Sequence, residues 1–74
     1  MTEKTTVEMR VTLNGERRTF SVGTTLLGVV EALNLEPERV AIELNRAIVR
    51  RDLWAETVVE NGAEIEVVMF VGGG

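Results

Sequence analysis

Apolar and polar residues alternate strictly along "VEMRVTL", with Val7, Met9, Val11 and Leu13 on one side and Glu8, Arg10 and Thr12 on the other. A period of two marks a half-buried strand. Asn14-Gly15 follows, and a second alternating run sets Phe20 and Val22 against Thr19 and Ser21. Asn-Gly tolerates positive φ at both centres of a tight turn, so the two runs form a predicted hairpin. Gly23 ends it. Thr24 or Thr25 is positioned to cap a helix through its hydroxyl. Leu26, Leu27, Val30 and Leu33 then fall on one stripe of a helix of roughly ten residues. Gly28 and the pair Val29-Val30 weaken that helix intrinsically, so packing on a sheet must hold it. Asn34 can end it and Pro37 stops it from resuming.

The period of two returns in "RVAIELN", where Val40, Ile42 and Leu44 oppose Ala41 and Glu43. A short "AIVRR" and a tight "DLWAETVV" come next, with Leu53 and Trp54 expected to tuck under the domain. Asn61-Gly62 supplies another turn before a last strand from Glu64 to Val71. That strand starts polar and ends wholly apolar, the pattern of a strand covered on both faces. Its parity sets Ile65, Val67, Met69 and Val71 toward the core and turns Val68 and Phe70 outward with Glu64 and Glu66. The order ββαβ(β)β predicts an α+β fold. It is a β-grasp, or ubiquitin-like, roll: a mixed sheet of four to five strands with one main helix packed on one face. The domain covers residues 1–71, and residues 72–74 form a flexible glycine tail.

Composition narrows the chemistry. The 74 residues contain no Cys, His or Tyr. There is accordingly no thiolate nucleophile and no disulfide framework, and the usual neutral-pH general base is missing. An enzyme with its own catalytic residues is not expected, nor a metal site or a tightly bound cofactor. Eight basic against twelve acidic residues give a net charge of −4, which disfavours nucleic acid and suits a partner protein with a basic surface. No apolar run reaches membrane-spanning length and "MTEKTTVEMR" lacks the apolar stretch of a signal peptide. A cytoplasmic protein without a membrane partner is the expectation.

The remaining candidate is the end of the sequence, "FVGGG". Each residue beyond Val71 adds at most about 3.3–3.6 Å of reach. Glycine lets backbone approach another protein closely, since no Cβ intervenes. At the tip the α-carboxylate of Gly74 is ionised at neutral pH. Such a carboxylate can attack the α-phosphate of ATP inside a partner, giving an acyl-adenylate open to a sulfur or nitrogen nucleophile. A frayed terminus is the plain alternative. Val68, Phe70 and Val71, beside the tail, are the candidate partner interface. Arg50-Arg51 reads as a solvated turn and Glu64 and Glu66 as a solvated face. Asn14-Gly15 and Asn61-Gly62 read as turn chemistry.

Several motifs in register carry a resemblance: "ELN", "IV.R..W", the "NG" turn before "IEVV", and the closing "F.GGG". From about Val40 onward the chain resembles the ThiS family, the sulfur carriers of thiamin (thiazole) biosynthesis. The hairpin and helix match only in pattern. The resemblance implies adenylation of the Gly74 carboxylate by a ThiF-type adenylyltransferase, with ATP used by that partner. A cysteine desulfurase-type donor system then supplies sulfur. The resulting thiocarboxylate delivers sulfur to a ThiG-type thiazole synthase, with Gly72, Gly73 and Gly74 entering the partner's active site. Other readings of this fold and tail are the small subunit of molybdopterin synthase, a ubiquitin-like protein modifier, and a β-grasp interaction module with an inert tail. Two positions depart from the family pattern. Arg50 stands where proline is common, which suggests a looser or differently angled turn, and Gly28 stands where a better helix former is usual.

Overall fold

The computed structural model describes residues 7–70. Strand β1 (Glu8–Leu13) and strand β2 (Glu16–Ser21) form the expected hairpin, paired from Glu8↔Ser21 to Leu13↔Glu16. Its two-residue loop has φ of 49° at Asn14 and 83° at Gly15, both in the left-handed region that this pair accepts readily. Helix α1 (Leu26–Ala32) follows. Strand β3 (Val40–Leu44), strand β4 (Ala47–Val49) and strand β5 (Glu64–Met69) complete one sheet in the order β2-β1-β5-β3-β4. Among the described strands only β1 and β5 run parallel; the other neighbours are antiparallel. A five-stranded mixed sheet carrying one main helix is the β-grasp roll that the pattern predicted.

Thr25 caps the helix: its Oγ1 accepts the Gly28 N–H at 3.1 Å. The helix closes with Asn34 at φ 59°, where the Asn34 N–H donates to the Glu31 carbonyl and the Leu35 N–H to the Val30 carbonyl. That is a Schellman closure, with asparagine in the place most often held by glycine. Seven residues are helical rather than about ten. The fully buried positions are Leu26, Val29 and Val30, with Leu27 and Leu33 half-buried. Each helical residue turns about 100°, so Leu26, Val29 and Val30 share a side that Leu27 leaves. Gly28 also has a packing reason: a Cβ there would lie 3.1 Å from the Thr24 Cγ2. Thr24 has little freedom to yield, since its Oγ1 donates to the Ser21 carbonyl at 2.7 Å and its own carbonyl accepts the Val59 N–H.

The core lies between the helix and one sheet face: Met9, Val11 and Leu13 from β1, Val40 and Ile42 from β3, and Ile65 from β5. A 3₁₀ turn over Arg51–Glu56 closes one side with Trp54, which is 1% exposed. The Trp54 Nε1–H donates to the Val49 carbonyl at 2.9 Å, satisfying the one polar atom of that ring. Leu53, expected beneath the domain with Trp54, is exposed instead. Adjacent residues of a short turn point different ways, and only one can reach the core. Val7 and Val22 are exposed as well, paired with each other beyond the end of the β1–β2 ladder through the Val22 N–H and the Val7 carbonyl.

Pro37 begins a short 3₁₀ turn, Pro37–Arg39, that leads into β3. A two-residue loop, Asn45-Arg46, joins β3 to β4, with φ of 53° and 73°. At Arg50 the backbone sits at φ −65° and ψ 146°, values a proline adopts without change. The backbone of this turn accepts arginine and proline alike. Arg50 pairs with Asp52 in the same turn at 3.2 Å, and both side chains are exposed. An Arg50→Pro variant is expected to be stabilised by up to about 1 kcal/mol through a less flexible unfolded chain, offset by at most the small worth of an exposed ion pair. A rise in the urea midpoint with an unchanged slope would show it.

Candidate functional site

Strand β5 is central in the sheet, yet only its first half has strands on both edges. β1 pairs with it at Glu64 and Ile65 alone, whereas β3 follows it from Ile65 to Met69. The Phe70 N–H extends that ladder by donating to the Arg39 carbonyl at 2.8 Å. Burial along β5 therefore declines toward its end. Ile65 is buried, Val67 half-buried, and Val68, Met69 and Phe70 are 55%, 60% and 55% exposed.

This overturns two expectations. The apolar end of β5 is not covered on both faces, and Met69 does not enter the core although its parity aims it there. A seven-residue helix is only about 10 Å long, whereas a six-residue strand spans about 20 Å. The helix cannot cover the whole of β5. Val68, opposite Ala41, faces outward as predicted, and Phe70 beyond the strand is exposed. Gly72, Gly73, Gly74 and Val71 lie outside the described residues.

Register extends the apolar exit into a patch. Val68 stands opposite Ala41 on β3, and Ile48 of β4 stands opposite Glu43, so all four side chains belong to the face away from the helix. Ile48 is 74% exposed. Val68, Phe70 and Ile48, with the half-buried Ala41 among them, thus form an exposed apolar surface across three strands. Large exposed side chains gathered on one face mark interaction sites more often than scattered ones do. Ile48 and Ala41 are not legible as part of this surface from sequence, because strand register is not written in either strand alone.

Charge is sorted over the same open face. Glu43, Glu64 and Glu66 lie beside the apolar patch, while Arg10 and Arg17 occupy the β1–β2 side. Glu64 contacts Arg46 at 3.6 Å, an exposed pair of small energetic weight. Among the described residues, no group of three acidic side chains could hold a metal ion, and no helix is long and apolar enough to cross a membrane. The face offers an apolar surface with an acidic border, at the end of β5 that precedes three glycines in the sequence.

Residues 11–74 match the sequence model of the ThiS family, a match that runs through the glycine tail. The chain belongs to the ThiS family. A solved ThiS family structure, the thiamine biosynthesis protein (ThiS) from Geobacter metallireducens, superposes with a TM-score of 0.77 at 30% identity, covering 89% of this chain and all of that one. The sulfur carrier protein ThiS of Escherichia coli K12 is 27% identical over 66 residues, which is 89% of this chain and 100% of that protein. The thiazole synthase of Magnetococcus marinus is 44% identical over 66 residues, and that of Paramagnetospirillum magneticum 36%. In both cases the match covers 89% of this chain but only 20% of the relative, so the chain spans about a fifth of those synthases' length.

Proposed function

We propose that this ThiS family member is a sulfur carrier for thiazole formation in thiamin biosynthesis, a co-substrate of partner enzymes and not itself a catalyst. The observation that carries the reading is the family match from residue 11 to Gly74, which includes the tail. The Gly74 carboxylate attacks the α-phosphate of ATP in a ThiF-type adenylyltransferase and expels pyrophosphate. The terminal sulfur of a persulfide on a cysteine desulfurase-type donor then attacks the acyl carbon and AMP leaves. A second thiol of the partner system cleaves the resulting acyl disulfide, leaving a thiocarboxylate on Gly74 and a disulfide on the donor side. A ThiG-type thiazole synthase is the acceptor of that sulfur. The two synthases that contain a ThiS-like stretch within their own chains support this pairing.

Intact-mass measurement tests the reading. After incubation with ATP, a ThiF-type adenylyltransferase and a sulfur donor, the protein should exchange one oxygen for sulfur. Consumption of that species on adding a thiazole synthase and its small-molecule substrates would place it in the pathway. An unchanged mass with an adenylyltransferase active on another carrier would defeat the proposal.

In this reading the exposed apolar patch docks the partner, and its acidic border matches a basic rim on that partner. Phe70→Ala should leave the fold intact, because the side chain is more than half exposed. It should raise KM for the adenylyltransferase by roughly tenfold or more, as truncation of a central aromatic contact does. Steady-state pyrophosphate release measures KM, and the urea midpoint checks the fold. A large fall in that midpoint would place Phe70 in the core instead.

A further inference from the structure

Asn14 does more than turn the chain. Its backbone N–H donates to the Ile65 carbonyl at 2.9 Å, the last main-chain bond from β1 toward β5. The chain then reverses at Gly15, so no strand stands beside Val67 on that edge. The Asn14 side chain fills the gap. The Val67 N–H donates to Asn14 Oδ1 at 2.7 Å, and Asn14 Nδ2 donates to the Val67 carbonyl at 3.2 Å. One carboxamide thereby supplies both the acceptor and the donor that a neighbouring strand would have provided. The arrangement depends on the left-handed backbone at Asn14, φ 49°, which asparagine adopts more readily than most residues.

We infer that Asn14 is a positioning residue for the C-terminal arm, fixing the direction in which β5 leaves the sheet. The inference rests on the carrier reading above. Val67 precedes Gly74 by seven residues, a reach of about 24 Å when extended. Among the described residues, β5 past Val67 is held on its β3 edge alone, by pairing to Met69 and by the Arg39 carbonyl at Phe70. The Asn14 carboxamide is therefore what resists twisting of the strand about that one-sided ladder. A misplacement of about 1 Å at the reacting group costs about a hundredfold. Asn14 meets β5 on its β1 edge, opposite the edge that β3 and, beyond it, Ile48 of β4 occupy, so its effect is expected on alignment more than on docking.

Asn14→Gly separates the two roles of the residue, since glycine keeps the positive-φ turn and removes the carboxamide. In amide hydrogen exchange on the isolated protein, the Val67 amide should exchange about tenfold faster in the variant, the worth of one net hydrogen bond. The Thr12 and Phe70 amides, bonded to the carbonyls of Ala63 and Arg39, should keep their rates and so report an intact sheet. With a ThiF-type adenylyltransferase and ATP, kcat for pyrophosphate release should fall roughly five- to tenfold while KM stays within about twofold. Unchanged Val67 exchange, or an unchanged kcat with wild-type protein active, overturns the inference. So does faster exchange at Thr12 and Phe70, which would make Asn14 a general structural residue. If the wild-type protein itself releases no pyrophosphate, the carrier reading fails, and the arm's positioning role with it.

Discussion

Replacing Trp54 with alanine is expected to cost about 3–5 kcal/mol, the range for removing a buried Phe or Trp. Two features place it at the upper end. Trp54 is the largest of the fully buried side chains, in a protein with only three aromatic residues. Its Nε1–H also donates to the Val49 carbonyl at 2.9 Å, a hydrogen bond the alanine variant forfeits. A domain of 74 residues has a total stability of about 4–11 kcal/mol, so this one change removes a third or more of it. The ring is held in a short 3₁₀ turn packed against α1. Loss of the ring leaves a void that a turn anchored at both ends cannot easily close. Trp54→Phe should cost less, about 1–3 kcal/mol, because it keeps part of the volume and forfeits the hydrogen bond. As the protein has a single Trp, far-UV circular dichroism is the suitable probe of urea unfolding for these variants. A loss below about 1 kcal/mol for the alanine variant would show that the 3₁₀ turn is not a structural part of the core.

Trp54 also illustrates what local pattern reveals. The sequence placed Leu53 and Trp54 together beneath the domain, and the structure buries only Trp54. Local pattern served best where one residue type meets one physical demand. Asn14-Gly15 supplies two positive φ angles, and the alternation of Val40, Ile42 and Leu44 gives β3 its inner face. It was silent at Asn45-Arg46, since arginine gives no sign that it will take φ 73°. Val68 could be assigned to the outer face because a period of two fixes parity within a strand. Met69 could not be placed, because the same apolar residue suits a core or a docking surface, and the length of α1 decides which. Ile48 and Ala41 join the patch through pairing between β3, β4 and β5. The bonds from Asn14 to Val67 span 53 positions, beyond the reach of any local reading.

Deleting Gly74 should abolish thiocarboxylate formation while leaving folding and docking as they were. The truncated chain would still end in an ionised α-carboxylate, now on Gly73, so the charge and the chemical group are retained. What changes is reach: one residue fewer draws the carboxylate back by about 3.5 Å. A misplacement of about 1 Å can cost about a hundredfold in rate, so the loss should put turnover below detection. The apolar patch of Val68, Phe70 and Ile48 is untouched by the deletion. The truncated protein should therefore compete with the intact one for the adenylyltransferase, with an inhibition constant close to the intact protein's KM. A Gly74→Ala variant separates reach from width, because it restores the length and adds one Cβ to the arm. If a narrow channel is what the glycines serve, that variant should also dock normally and turn over slowly. If instead the truncated chain gains sulfur at an undiminished rate, arm length does not set the chemistry. If it neither reacts nor competes, docking depends on the tail and not on the β5 exit face.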